Sequence, residues 1–150
     1  MPRLIKTPEG RELWELICDH ANGRLKRETT DWIHAILNLE RIPTSAILVR
    51  GWHLGKMVAV AGCLCAEEEV KHSFLVTHAD YRSRGYARTL LRIKREELQK
   101  RGVQYLAVVA DDNEASKAVM RHNGLCVAAV KTATRERGEY RVLEYCEGEK

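Results

Sequence analysis

Arg82-Ser83-Arg84-Gly85-Tyr86-Ala87 is the most constraining stretch of this chain. It stands between an apolar, strand-like segment, Val70 to His78, and an amphipathic one that runs to about Lys100. The first reads as a strand, while Ala87, Leu90, Leu91 and Leu98 at helical spacing give the second one apolar face. Val103 to Ala110 follows, apolar at successive positions in the manner of an interior strand covered by helices. A strand, a basic glycine-containing turn, a helix and a buried strand, in that order, point to an α/β architecture.

The rest of the chain fits around that unit. A short strand is expected over Arg3 to Lys6, and Thr7-Pro8 is a helix start, because threonine caps and proline tolerates the first turn. Leu13, Trp14, Ile17, Cys18 and Ala21 make the apolar stripe of that helix, with Gly23 as its stop. A second helix is expected from about Thr30 to Glu40. Ser45 to Leu54 and Met57 to Glu67 read as strands joined at Gly55-Lys56. Asn113 opens a further helix that Asn123-Gly124 ends, and Leu125 to Thr134 and Tyr140 to Glu147 close the chain as strands.

At 150 residues, 45% hydrophobic and 31% charged, this is one globular domain with a sizeable core, without repeats or a linker. The longest nearly apolar run, Met57 to Ala66, is about half of what a bilayer-spanning helix needs. Met1 to Gly10 lacks the apolar stretch of a signal peptide, so a soluble, cytoplasmic protein is expected, with no membrane partner. The five cysteines show no Cys-x-x-Cys pair and no matching histidine spacing, which disfavours a disulfide scaffold or a metal site. Cys63 and Cys65 alternate along an apolar strand and read as small core residues.

The net charge of +4 says little by itself, but its distribution is uneven. Arg82 to Arg101 carries eight basic side chains against Glu96 and Glu97, while the remainder has a slight acidic excess. Local concentration points to an anionic ligand at one place rather than to nucleic acid. A helix start exposes unpaired backbone amides and a positive dipole end, and small residues let a phosphate approach them. Gly85 and Ala87 supply the small positions, and Arg82, Arg84 and Arg88 supply charge, so a diphosphate is the natural guest. The loop lacks the Gly-Lys-Ser/Thr ending of a P-loop and is not Gly-x-Gly-x-x-Gly.

Taken with its flanking strands and the later Asn113-Glu114-Ala115-Ser116, the stretch from Val70 to Leu125 resembles the GNAT superfamily of acyl-CoA-dependent N-acetyltransferases. The resemblance implies a mixed, mostly antiparallel central sheet with splayed parallel strands and flanking helices. It implies acetyl-CoA as cofactor, coenzyme A as product, and the Arg82, Ser83, Arg84, Gly85, Tyr86, Ala87 loop, with Arg88, as the pyrophosphate site. By the same resemblance Leu75, Val76 and Thr77 pair through their backbone with the pantetheine arm, and Asn113 and Ser116 close the cofactor site. One departure is Met120, where family members often carry a tyrosine that protonates the departing thiolate; methionine cannot donate a proton. Leu125 replaces the phenylalanine common after the glycine, a packing change.

The implied reaction is direct attack of an amine on the acetyl thioester in a ternary complex, the acceptor being an amine of a small molecule or peptide. Glu69 and His72 are the candidate bases. Three positions apart on a regular strand, they face opposite sides unless a bulge intervenes. The structural alternatives are a charged turn at Glu67-Glu68-Glu69 and an ordinary strand-surface histidine. Trp14, Trp32 and Trp52 read as core or groove walls, Trp32 also as a lining of the acceptor entrance. A catalytically inactive coenzyme A sensor is the alternative function, suggested by Met120. A nucleic-acid binder using the basic helix ranks below both, and a second copy of the chain is a candidate partner.

Overall fold

Two antiparallel three-stranded sheets meet along edges that share no hydrogen-bond ladder. The computed structural model describes residues 5, 7–21, 23–67, 69–103, 105–135 and 138–147. The strand expected over Arg3 to Lys6 lies outside them except for Ile5, whose side chain is buried in the core.

Helix α1 (Pro8–His20) starts where its cap dictates: the Gly10 amide donates to Thr7 Oγ1 at 3.0 Å, with Pro8 in the first turn. Helix α2 (Arg27–Leu37) begins earlier than Thr30, from a Lys26 that makes no side-chain cap. Leu13, Leu16, Ile17, Ile33, Ile36 and Leu37 from this pair form one core with Phe74 and Val76. Each such aliphatic side chain contributes roughly 1.5–3 kcal/mol by leaving water.

Strands β1 (Ala46–His53), β2 (Lys56–Ala66) and β3 (Glu69–Thr77) form the first sheet in that order. The β1–β2 turn is Leu54-Gly55, one residue earlier than expected, with φ of 49° and 79° and His53 paired with Lys56. Both turn residues are left-handed, as a two-residue turn that matches strand twist requires. Helix α3 (Tyr86–Lys100) then crosses to β4 (Leu106–Ala110), helix α4 (Glu114–His122) follows, and β5 (Leu125–Arg135) and β6 (Gly138–Glu147) complete the second sheet in the order β4-β6-β5.

The interior strand expected over Val103 to Ala110 is corrected in one respect. Strand β4 occupies the middle of the molecule, touching β3, yet it is the edge of its own sheet and leaves Val108 51% exposed. Every ladder among the described strands is antiparallel, and the splay of the fold is the gap between the β3 and β4 edges. The second core closes beneath that gap: Leu91 and Leu98 of α3, Met120 of α4, Tyr105, Val109 and Tyr145. Cys63 is buried there and Cys65 packs against it, both on the face of β2 toward α3. No described helix is long and apolar enough to cross a membrane.

Candidate active site

The basic loop is shaped by backbone rather than by side-chain caps. After β3, a single 3₁₀ turn at Ala79–Tyr81 leads into Arg82, and Ser83 and Gly85 take φ of 63° and 87°. Gly85 is the residue before α3 in the left-handed conformation, and a Cβ there would meet nothing within 4 Å. No side chain caps α3, and no carboxylate sits in its first turn. The leading amides of a four-turn helix therefore open onto a surface that a ligand can approach, with the positive dipole end beside it.

Around this turn Arg82, Ser83, Arg84, Gly85 and Arg88 are exposed, and Tyr86 and Ala87 are half-buried. Arg82 also has an internal role: Nε donates to the Thr77 carbonyl at 3.4 Å and a terminal nitrogen to the His20 carbonyl at 3.2 Å. It ties the loop to the end of β3 and the end of α1. Arg84 lies over the Tyr81 ring, 5.0 Å from its centroid, and Tyr86 Oη is 3.4 Å from His53 Nδ1.

The loop continues from the free edge of β3. Val76 is buried against α1 and α2, and Leu75 packs against Leu90 and Tyr86 on the other face. Their side chains are committed to packing, so what Leu75, Val76 and Thr77 can offer a ligand is main chain. On an edge strand, alternate amides and carbonyls point away from the ladder and are open to an extended chain.

At the other end of β3 the strand is bulged. The register steps from Leu64–Lys71 to Gly62–Phe74, which sets His72 and Ser73 together against Cys63, and His72 has φ 54°. Val70 pairs with Cys65 and shares its face toward α3, so Glu69 and Lys71 point to the α2 face. His72 points there too: its ring stacks on Trp32 at 5.4 Å and Nδ1 is 3.5 Å from Thr29 Oγ1. The regular-strand expectation of opposite faces is thereby overturned, since the extra residue resets the alternation. Glu69 is exposed and pairs with Lys71 at 3.8 Å, while His72 is half-buried.

Asn113 and Ser116 are joined by a local bond, because Asn113 Oδ1 accepts from the Ser116 amide at 3.3 Å and caps α4. Met120 is 5% exposed and belongs to the second core. It fills space between α4 and the sheet.

Two features escaped the sequence reading. His20 and His78 stack at 3.9 Å between centroids beside the loop, and the Ala79 amide donates to His20 Nδ1 at 3.2 Å. Burial, then the neighbouring His78, holds the His20 pKa below its ordinary value. Lys94, one of the basic residues of α3, is 1% exposed. Among the described residues no group of three or more His, Cys, Asp or Glu side chains is arranged to hold a metal.

The profile of the Acetyltransferase (GNAT) family matches residues 11–125. Among solved structures, the ribosomal-protein-S18-alanine N-acetyltransferase from Escherichia coli superposes with a TM-score of 0.73 at 19% identity, over 97% of this chain and 90% of that one. A point mutant of the spermidine N-acetyltransferase from Vibrio cholerae gives 0.73 at 11% identity over 97% and 92%. An aminoglycoside 6'-acetyltransferase type Ii gives 0.69 at 14% identity over 100% and 97%. At these identities the likeness is one of fold. No curated protein sequence matches the chain.

Proposed function

Since this chain belongs to the GNAT acetyltransferase family, we propose that it moves the acetyl group of acetyl-CoA to an amine of a small molecule or peptide. The observation that carries the reading is the uncapped start of α3, with Gly85 left-handed and arginines around it, at the end of a strand edge left without a ladder. The Tyr86 and Ala87 amides and the Arg84 and Arg88 guanidinium groups bind the diphosphate, while Arg82 holds the loop in place. The edge of Leu75–Thr77 takes the pantetheine arm as an added strand. Asn113 and Ser116, at the start of α4, border the cofactor on the β4 side.

Acetyl-CoA supplies an activated acyl thioester. The amine nitrogen attacks the carbonyl carbon, the C–N bond forms, the C–S bond breaks, and the electron pair leaves on sulfur as thiolate. An outward β3 amide, at Leu75 or Thr77, stabilises the carbonyl oxygen, because His78 donates to the Val58 carbonyl and the alternation turns the Val76 amide inward to β2. His72 is the stronger base candidate, since Thr29 engages Nδ1 and Trp32 fixes the ring plane, leaving Nε2 to take the ammonium proton. Glu69, exposed on the same face, is the other. Met120 donates no proton, so water protonates the thiolate, a tolerable leaving group with a thiol pKa of about 8.5.

That same methionine favours a second reading, a coenzyme A sensor without turnover. Acetyl transfer to polyamines, aminoglycosides and peptide N-termini, followed by mass spectrometry, tests the proposal. Acetylated product that vanishes without enzyme supports it; tight acetyl-CoA binding with no product from any acceptor supports the sensor.

A further inference from the structure

Lys94 is a buried charged residue that the reaction does not use. Its ammonium lies at the vertex of the splay, donating to Ser73 Oγ at 2.6 Å and the Gly62 carbonyl at 3.3 Å, with the Tyr105 ring centroid 5.2 Å away. Those three partners come from β3, from β2 and from the residue before β4. Gly62 and Ser73 flank the step in register at which His72 and Ser73 face Cys63. Among the described residues no carboxylate pairs with Lys94.

Burying a cation on one hydroxyl, one carbonyl and one aromatic face costs more than burying a methionine of similar length. A lysine in this place is therefore poor as plain filling. It is well suited to holding a backbone irregularity, since its donors reach both strands of the bulge at once.

We propose that Lys94 is a positioning residue: it clamps the β3 bulge, and through the bulge sets His72 against Trp32 and Thr29 for proton transfer. This rests on the acetyl-transfer reading for its catalytic half. The pyrophosphate loop lies nine residues back along α3, about 14 Å away at 1.5 Å per residue, so the charged diphosphate contacts are outside the reach of the clamp.

Lys94→Met removes the donors and keeps the length. The variant is expected to fold, to bind acetyl-CoA within about twofold of the native protein, and to lose tenfold or more in kcat with little change in the acetyl-CoA KM. That split marks a loss confined to the transition state. Ser73→Ala is expected to lose less, and Lys94→Met/Ser73→Ala to lose no more than Lys94→Met alone, because both act through one bond.

Cys63 gives a readout independent of turnover. It is 0% exposed opposite the bulge, and burial pushes its thiol pKa up, so it is inert while the clamp holds. Iodoacetamide labelling resolved by peptide is expected to reach Cys63 at least tenfold faster in Lys94→Met, with exposed Cys18 and Cys126 as unchanged controls. Unchanged Cys63 protection overturns the clamp, and released Cys63 with full kcat overturns its positioning role. Failure of the native protein to transfer acetyl groups contradicts the functional reading and with it the catalytic half, whereas the labelling arm still decides the clamp.

Discussion

The start and the middle of helix α3 are built on opposite principles. At its start, Gly85 and the arginines around it are exposed and the leading amides have no capping side chain. Two turns later Lys94 is buried with its donors engaged on both strands of the bulge. Unspent hydrogen-bonding capacity at the loop is what a ligand would complete. Spent capacity at the vertex gives rigidity and leaves nothing to bind with. Substitutions at the loop should therefore act on affinity, and those near the vertex and its core on stability or rate.

The largest effect is expected at Gly85. A valine there faces open space but must hold φ 87°, a conformation costing an L-residue roughly 1–2 kcal/mol, so the backbone flips and the amides turn away from the phosphates. Losing one or two charge-assisted backbone bonds, about 1.5–3 kcal/mol each, lowers acetyl-CoA affinity at least about tenfold by calorimetry. Arg84→Ala should weaken binding by only about threefold to tenfold, and less at high salt, because its charge is exposed and screened.

Met120→Tyr tests the core side of the contrast. The side chain is packed in the second core, so a ring in its place overfills the site by about 1–3 kcal/mol and lowers Tm by roughly 3–10 °C in a thermal melt. A variant as stable as the native protein that turns over faster would show instead that the position opens onto the thiolate.

The smallest expected effect is the pH response of His20. His20 has a folded pKa below its ordinary value of 6.5, so the unfolded chain binds its proton more readily. The stabilisation from a neutral His20 is complete above that ordinary value and is lost as pH falls from there toward the lower folded pKa. Tm should drop between pH 7 and pH 5.5, and drop less in His20→Asn.

What could be read from the sequence follows the same division between local and distant causes. Thr7 and Asn113 announce their helices because a cap acts within three residues, and the Arg82–Ala87 loop announces the exposed basic turn before α3 because glycine and arginine spacing is local. The bulge at His72 was hidden, since it is set by register against β2, and it reverses the facing deduced for Glu69 and His72. Lys94 was hidden for a related reason: only Gly62, Ser73 and Tyr105, distant in sequence, make a lysine at home on a core face. The edge position of β4 likewise depends on β6 pairing with it from the far end of the chain.

Thermal unfolding with acetyl-CoA, with ATP as the polyphosphate control, tests the central claim most directly. At a hundredfold excess over Kd, acetyl-CoA should stabilise the native state by about 2.7 kcal/mol, and at the same concentration Gly85→Val should gain about 1.4 kcal/mol or less. No shift in a folded native sample, or an equal shift with ATP, would contradict a cofactor site at the start of α3.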